Sequence, residues 1–176
     1  MKKNLIAGLA FIICTIILPV QGNSQAPDWT RVLQLSTFGY QNLNYVTADA
    51  GYNYLAASIS GPVTFSGTVF TSAGFRDMII SKINPNGGLI WTRQIDAGAN
   101  GSIYADVIKV DGTGNVIVAG TFSGQSTIGA STITSGPDNA FIAKFDANGN
   151  GLWATSFIYY GTGSSKIAFD GSGDIY

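Results

Sequence analysis

The sequence predicts an all-β fold assembled from copies of one four-stranded unit. Short runs rich in Val, Ile, Phe, Tyr and Thr alternate with turns that contain Asp, Asn and Gly, which is the pattern of β-strands joined by hairpins. The three tryptophans, Trp29, Trp91 and Trp153, are evenly spaced along the chain, which indicates an internal repeat. After the amino-terminal segment, no stretch keeps an apolar stripe at helical spacing for more than about two turns.

The amino-terminal segment, 1–26, has the three regions of a secretory signal peptide. MKKN supplies positive charge, LIAGLAFIICTIILPV is an uncharged apolar run, and QGNSQA offers small residues for cleavage. An uncleaved membrane anchor is the alternative, but the run is shorter than the roughly 20 residues that span a bilayer. We therefore expect 1–26 to be removed, with the cut at Ala26 or slightly earlier. The folded part, 27–176, is then secreted or at the cell surface, with no membrane span.

The composition excludes several classes of function. The chain has nine Lys and Arg, ten acidic residues that are all Asp, and no His or Glu, and its one cysteine, Cys14, lies in the apolar run. An exported part without thiols must fold without disulfides. The slightly acidic balance argues against nucleic acid, which needs clustered basic residues. The commonest general bases, thiol nucleophiles and zinc ligands are absent. This removes the usual tools of an enzyme but leaves an enzyme as an alternative, and the sequence identifies no catalytic residue, no cofactor and no metal ligand.

The internal repeat is clear from a gapless alignment of residues 29–90 with residues 91–152, which gives 13 identities in 62 positions, including Trp-Thr-Arg in both. A third copy begins at Trp153, where IAFDGSGDIY (167–176) matches IKVDGTGNVI (108–117) after a slightly shorter connection. The residues expected to have repeated structural roles are Trp29, Trp91, Trp153, Asp49, Asp111, Asp170, Asn53, Asn115, Lys82, Lys144, Asn86, Asn148, Gly87 and Gly149.

Each copy is predicted to hold four strands. In the second copy they are YADVIKV (104–110), VIVAGTF (116–122), AFIAKFD (140–146) and LWATSFI (152–158). The polar stretch between the second and third strands, 123–139, has room for a short irregular strand pair. DWTRVLQL (28–35) corresponds to a fourth strand that leads the chain without its three predecessors.

A four-stranded repeating unit of this kind is the blade of a β-propeller. The predicted organisation is a leading strand (28–35), one blade (43–96), a second blade (104–158) and an incomplete blade (164–176). Because the chain stops at Tyr176 inside an expected strand, we expect a partial propeller that lacks roughly two to five further blades.

The stretch DANGNGLW (146–153) is spaced like the first half of a calcium-binding loop. The first copy has NPNGGLIW (84–91) instead, and the twelfth loop position, which takes a bidentate Glu, is Phe157. Asn-Gly readily forms a hairpin turn, so the stretch is interpreted as the turn between the third and fourth strands. The same interpretation applies to DAGYN (49–53), DGTGN (111–115) and DGSGD (170–174), where Asp caps a turn and Gly takes the left-handed conformation. Weak calcium binding at exposed turns is the alternative.

Other recurring side chains have structural interpretations. Trp91 and Trp153 are expected to pack between neighbouring units as apolar anchors, with a carbohydrate-stacking platform as the alternative. Lys82 and Lys144 are expected to bond to a neighbouring turn. Five aromatic residues without an aromatic match in the second copy mark the place where a binding surface is predicted: Phe38, Tyr40, Tyr45, Tyr52 and Tyr54.

The second copy carries a family resemblance. DGTGNVIVAGTF (111–122), followed by DNAFIAKFDANGNGLW (138–153), resembles the SBBP-type β-propeller repeat of secreted proteins from Bacteroidetes and related bacteria. The resemblance implies a propeller and export, in many members through a carboxy-terminal sorting domain of the type IX secretion system, and it implies no catalytic residues. The first copy departs from the pattern at DAGYNYLAAS. The Asp146, Gly149 and Trp153 spacing is also similar to the tryptophan-docking motif of quinoprotein propellers, with two departures.

The resulting hypothesis is an exported, non-catalytic propeller that binds a protein or carbohydrate at the cell surface. The alternative is a fragment of a propeller enzyme, either a quinoprotein-like oxidoreductase or a polysaccharide-active lyase or hydrolase. It would need charged residues that converge on the central channel. The charges not matched by the same residue type in every copy are Arg76, Asp106, Asp138 and Arg93, and Arg93 recurs once, as Arg31. A purely structural module of a long surface protein is a third possibility.

Overall fold

The computed structural model describes residues 36–37, 40–136, 139–158, 168 and 174–176, with the backbone alone described before Val46. The expected signal peptide and leading strand, together with Trp29 and Asp170, lie outside the described residues. All regular secondary structure in the described residues is β-strand, as predicted, and none of these residues belongs to a helix long and apolar enough to cross a membrane.

Thirteen strands make up the described part of the chain. In order they are β1 (Ser36–Thr37), β2 (Tyr40–Asp49), β3 (Tyr52–Ser60), β4 (Pro62–Phe65), β5 (Thr68–Thr71), β6 (Asp77–Ile83), β7 (Leu89–Ile95), β8 (Ser102–Val110), β9 (Val116–Ser123), β10 (Gln125–Ile128), β11 (Ser131–Thr134), β12 (Asn139–Phe145) and β13 (Gly151–Ile158).

Two four-stranded antiparallel sheets dominate the fold and have the same strand order. The first sheet runs β2-β3-β6-β7 and the second runs β8-β9-β12-β13. In the second sheet, the strands begin and end within two residues of the bounds that the sequence predicts. The predicted strand pair between the second and third strands is present in both copies, and it is a regular hairpin: β4 pairs with β5, and β10 pairs with β11.

Each sheet has two apolar faces. Residues paired across antiparallel strands lie on one face, and successive residues of a strand alternate between faces. Ala57 pairs with Ile79 and defines the front face of the first sheet, whereas Ala56 pairs with Ile80 and defines its back face. The matching pairs of the second sheet are Ala143 with Val118 on the front face, and Ile142 with Ala119 on the back face.

The sheets stack in a head-to-tail direction. The back face of the first sheet, with Ala56 and Ile80, forms one buried cluster with front-face residues of the second sheet such as Val118 and Phe141. The back face of the second sheet packs in turn against Ile175 of the third copy. Because back meets front, the contact is heterologous and uses a different surface on each partner.

The described fragment of the third copy follows the second copy closely. Ala168 and Tyr176 exchange backbone hydrogen bonds of 2.9 and 3.0 Å, which is the pairing that Lys109 and Ile117 have in the second sheet. In this alignment Ile175 occupies the place of Val116, a front-face residue. The front of the third copy thus meets the back of the second sheet, and the direction of stacking is the same at both contacts.

The inserted hairpins fill the outer part of the space between sheets. Val63 and Phe65 of β4 are buried against the front face of the first sheet, and Ile128 and Ile133 join the cluster between the two sheets. The first strands, β2 and β8, contact each other directly, whereas β10 contacts both fourth strands, β7 and β13. The sheets therefore approach most closely at their first strands, and the hairpin β10–β11 occupies the gap beside the fourth strands.

The strand pairings correct the gapless alignment across the second strand and the hairpin. From β3 to β5, a residue and its structural equivalent in the second copy are separated by one residue more than Trp91 and Trp153 are. Asn53 pairs with Ile83 and Val116 pairs with Phe145, so Asn53 is the equivalent of Val116. Asn53 is consequently a strand residue and Asn115 a turn residue, although the gapless alignment matches them. At the corrected spacing Gly61 matches Gly124, and both have positive φ, at 76° and 96°.

The one-residue difference in spacing originates in the first turn of each copy. DGTGN places Gly114, with φ of 83°, at its fourth position, whereas the fourth position of DAGYN is Tyr52. A residue with a Cβ atom is disfavoured at positive φ. The first copy instead makes a two-residue turn through Ala50 and Gly51, with φ of 47° and 83°, and pairs Asp49 with Tyr52. The two Asp turns that the structure describes at this place are thus hairpin turns of different size.

Replacing Phe141 by Ala tests the contact between the sheets. Phe141 is fully buried and meets the ring of Phe122 edge-on at 5.9 Å, so the substitution leaves a cavity and lowers the free energy of unfolding by about 3–5 kcal/mol. Phe157→Ala is the matched control, because Phe157 is 47 % exposed and its loss should change the value by about 0.5 kcal/mol or less. Urea unfolding followed by circular dichroism measures both, and equal effects would contradict the stacking.

Candidate functional site

The contact with the most specific chemistry lies where the fourth strand of the first sheet meets the second sheet. In β7, Lys82 pairs with Trp91 and Ile83 pairs with Leu89, which leaves Ile90 as the extra residue of a β-bulge. β13 has the same bulge at Leu152, directly before Trp153. Bulges bend a strand and redirect the side chains beside them. Trp91 is only 8 % exposed and belongs to the cluster between the sheets.

The turn between β12 and β13 is the surface that Trp91 meets. Its Asp146 accepts hydrogen bonds at Oδ1 from the backbone N–H groups of Asn148 and Asn150, at 2.9 and 2.8 Å, and at Oδ2 from Asn150 Nδ2, at 2.8 Å. The backbone closes the same turn, since the Gly149 N–H donates to the Asp146 carbonyl at 2.9 Å. Asp caps its own turn in this way, as the sequence predicts.

Three successive carbonyls of this turn accept hydrogen bonds from β7. Trp91 Nε1 donates to the Ala147 carbonyl at 3.0 Å, Arg93 Nη2 to Asn148 at 2.9 Å, and Arg93 Nε to Gly149 at 3.0 Å. We name this arrangement the clasp: Trp91 and Arg93 on one side, and the carbonyls of residues 147–149 on the other. It satisfies the indole N–H, which needs a partner when it is buried.

Gly149 permits the clasp for two reasons. Its φ is 79°, a conformation that residues with a Cβ atom rarely adopt. A Cβ atom at this position would also lie 2.8 Å from Cδ2 of the Trp91 indole, which is too close for two carbon atoms. The repeated glycine is therefore required by the turn and by the tryptophan of the neighbouring sheet together.

Electrostatics favour the ionised form of Asp146. The pKa of its carboxyl lies below the usual value, chiefly because Asn150 donates side-chain and backbone hydrogen bonds, with further help from Asn148 and the charge of Arg93. The carboxylate oxygens thus accept protein N–H groups, as a capped turn requires. Among the described residues, no group of three or more Asp or Cys side chains is arranged so that it could hold a metal ion.

The turn that follows β8 has the same hydrogen bonds and an added ion pair. Asp111 Oδ1 accepts from the Thr113 N–H and hydroxyl and from the Asn115 N–H, while Oδ2 accepts from Asn115 Nδ2 and lies 2.9 Å from Lys144 Nζ. Partial burial would raise the pKa of Asp111, but the hydrogen bonds from Asn115, Lys144 and Thr113 outweigh it and hold this pKa well below its usual range. Lys144 therefore bonds to a neighbouring turn, which is the role expected for it.

Lys82 occupies the matching place in the first sheet but has a different partner. Its Nζ lies 4.4 Å from the centre of the Tyr52 ring and 5.4 Å from that of Tyr54, within the range of a cation–π interaction. The shorter turn after Asp49 places Tyr52 opposite Asp49 in the pairing. The repeated lysine thus contacts an aromatic ring in one sheet and forms an ion pair in the other.

The structure contradicts the binding-surface prediction at Tyr54, and at Trp91 it agrees with the expected packing between units and not with the alternative of a carbohydrate platform. Tyr54 is only 1 % exposed, so it belongs to the core between the sheets and not to a binding surface, and Tyr52 is partly buried beside Lys82. Trp91 is not a carbohydrate-stacking platform, because its indole is buried against the turn of the second sheet. Trp153 lies at the matching place on the back face of the second sheet and is partly buried. Phe38 and the side chains of Tyr40 and Tyr45 lie outside the described residues.

The unmatched charges that the structure describes belong to different elements of the fold. Arg93 is engaged in the clasp, and Arg76 lies 5.3 Å from the centre of the Tyr104 ring. Asp106 is the extra residue of a β-bulge in β8, since Ala105 and Val107 pair with consecutive residues. Asp138 lies outside the described residues.

Asp77 is a structural carboxylate that the sequence analysis missed. It is fully buried, and it accepts hydrogen bonds from the backbone N–H groups of Ala73 and Ala97, both at 3.3 Å, and from Gln94 Nε2 at 2.6 Å. A buried charge needs such partners. The available signal was a lone Asp directly before the apolar residues Met78, Ile79 and Ile80, where an unpartnered carboxylate would be costly.

No protein-family model matches the chain, and no curated protein matches it.

Substituting Gly149 by Ala tests the clasp. The variant combines strain at positive φ with a clash against Trp91, so we expect the free energy of unfolding to fall by about 3 kcal/mol. Gly67→Ala is the matched control: Gly67 has φ of 82° but nothing within 4 Å of its Cβ position, so it reports strain alone, about 1–2 kcal/mol. Chemical unfolding of both variants gives the difference, and equal losses would show that Trp91 does not constrain the turn.

Substituting Asp111 by Asn tests the ion pair through its pH dependence. The folded-state pKa of Asp111 is depressed below the ordinary value of 3.8, so its contribution is fully present above about pH 4 and is lost as the pH falls through the folded-state pKa. At pH 7 the variant should be less stable than the wild type by about 1–3 kcal/mol, and the gap should shrink from about pH 4 downward. Unfolding free energies measured from pH 7 to pH 2 check this, and a constant gap would contradict it.

Proposed function

We propose that this protein belongs to an exported β-propeller of the SBBP type and acts as a non-catalytic scaffold that binds a protein or carbohydrate ligand at the cell surface. The observation that carries the proposal is the head-to-tail stacking of like sheets. A heterologous contact that recurs in one direction produces an array of units and closes into a ring if the rotation per unit allows it.

The spacing between the sheets supports a fan of blades. The first strands of the two sheets contact each other, and a hairpin lies between the fourth strands. This arrangement is expected when blades radiate from a common axis. A flat sandwich of two sheets would have similar spacing along all four strands. The inserted hairpin covers the front face of its own sheet in both copies, so each unit carries the material that fills its own gap.

The engagement of charged side chains supports a scaffold over an enzyme. Arg93 holds a turn, Lys144 pairs with Asp111, and Asp77 caps a loop inside the fold. Catalysis at neutral pH usually needs titratable groups that converge on a cleft with pKa values shifted toward the working pH. Asp111 and Asp146 shift in the opposite direction, to lower pKa values.

The end of the sheets opposite the clasp offers a surface for binding. The chain reverses there through the connection 61–76 and the junction 96–101, whereas the Asp-capped turns lie at the other end. Phe75 is 69 % exposed, and its backbone N–H donates to the Gly101 carbonyl at 2.9 Å. An aromatic side chain on a fixed backbone loses little entropy when it binds, so Phe75 is a suitable anchor for a ligand.

Retention on solid ligands tests the proposed function. We expect the purified protein to be retained by at least one of insoluble cellulose, chitin, xylan, immobilised collagen or immobilised mucin, without releasing soluble sugar or peptide. Phe75→Ala should weaken retention about tenfold, which corresponds to about 1.4 kcal/mol. The matched control is Leu152→Ala, because Leu152 is 47 % exposed at the clasp end.

The outcomes separate the alternatives. Product release would favour the enzyme, and equal retention of the two variants would remove Phe75 from the binding surface. Surface location is tested separately by expressing the chain with its own leader and digesting intact cells with protease: loss of the protein places it at the surface, and full protection contradicts a surface location.

A further inference from the structure

The clasp has a second potential donor in the sequence. Trp-Thr-Arg occurs at 91–93, where Trp91 and Arg93 form the clasp, and again at 29–31. The acceptor of Trp91 lies 56 residues further along the chain, at Ala147. The same separation from Trp29 leads to Pro85, which lies in the turn between β6 and β7.

The turn at Asn84–Gly88 has the backbone geometry of the clasped turn. The Asn84 N–H donates to the Gly88 carbonyl at 2.8 Å and the Gly87 N–H to the Asn84 carbonyl at 2.9 Å, and the matching distances of the clasped turn are both 2.9 Å. Gly87 has φ of 76°, against 79° for Gly149. The carbonyls of residues 85–87 are thus presented in the same way as those of residues 147–149.

The sequence differences between the two turns leave the acceptors in place. Pro85 replaces Ala147, and proline lacks only the N–H, which the clasp does not use. Asn84 replaces Asp146 and still caps the turn, because its Oδ1 accepts the Gly88 N–H at 2.8 Å. The carbonyls needed to accept an indole N–H and a guanidinium are all retained.

The residues that follow each Trp-Thr-Arg along the chain lie against an inserted hairpin. Shortly after Arg93, Gly98 lies against the inserted hairpin of the second sheet, where the Gln125 N–H donates to the Ala97 carbonyl at 3.2 Å. Ser36 follows Arg31 by the same number of residues as Gly98 follows Arg93. It lies against the inserted hairpin of the first sheet, where it pairs with Thr64. β1 is therefore placed on the inserted hairpin of the first sheet as the residues after β7 are placed on the inserted hairpin of the second sheet.

We propose that Trp29 and Arg31 form a second clasp on the Asn84–Gly88 turn, so that residues 28–35 are the occupant of the front side of the first sheet. Trp29 Nε1 donates to the Pro85 carbonyl, and Arg31 donates to the carbonyls of Asn86 and Gly87. Residues 28–35 then have the same position relative to the first sheet as β7 has relative to the second sheet. Trp153 provides an internal reference, since Ala154 and Thr155 follow it and the arginine is absent.

Indole N–H signals in NMR spectra of the ¹⁵N-labelled protein test the proposal. The three tryptophans give three Nε1–H signals, which Trp→Phe variants assign. We expect the N–H groups of Trp29 and Trp91 to exchange with solvent on the order of tenfold more slowly than that of Trp153, because both are hydrogen-bonded and buried. Gly87→Ala should shift and accelerate Trp29 alone, and Gly149→Ala should do so for Trp91 alone.

Conservative variants guard against loss of folding. Arg31→Gln and Arg93→Gln remove one guanidinium each without strain at a glycine, and each should accelerate exchange only at the tryptophan of its own Trp-Thr-Arg. The proposal is overturned if Trp29 exchanges as fast as free tryptophan, or if Gly87→Ala leaves its signal unchanged. It is also overturned if Gly87→Ala moves the Trp153 signal in a concentration-dependent way, which would show that a second copy of the chain occupies the turn.

Discussion

Both four-stranded sheets in the described part of this protein have apolar residues on their two faces, and neither face can be covered by the sheet alone. This constraint determines the rest of the structure. The inserted hairpin covers part of the front face, and the neighbouring sheet must cover what remains. Because back always meets front, burial propagates from the first sheet to the second and from the second to Ile175. Hydrophobic burial thus explains why the units stack and why a single unit is insufficient.

Burial alone does not determine how one sheet is oriented on the next, because the hydrophobic effect is non-directional. The clasp supplies direction. Trp91 and Arg93 recognise three consecutive carbonyls, and this recognition requires one rotation and one offset between the sheets. The bulge at Ile90 and the positive φ of Gly149 are needed for the same contact. Trp91 and Gly149 are therefore explained by an interaction between units, in addition to the turn that Gly149 forms within its own unit.

The two copies also show how a repeat tolerates divergence. The first turn has Gly at its third position in the first copy and at its fourth position in the second copy, so it is shorter in the first copy and the register of β3 is shifted. The connection before β6 compensates for this shift, and β6 and β12 are again separated by the interval that separates Trp91 and Trp153. Lys82 then faces the Tyr52 ring, while Lys144 faces the Asp111 carboxylate. Both contacts keep the ammonium group of a third-strand lysine next to the preceding turn, so different chemistry occupies the same place.

Local sequence patterns were enough to predict the strands, the turns and the interval between units, since strand propensity, alternation and Asx-Gly chemistry act over a few residues. The roles of Asp146 and Lys144 followed from the same patterns. The register of β3, the burial of Tyr54, the partners of Asp77 and the carbonyls that receive Trp91 required the tertiary structure. These features depend on groups between 4 and 56 residues apart, and one residue of turn length moves every side chain of a strand to the opposite face. A local pattern can identify a strand, but the sheet packed against it decides which of its faces is buried.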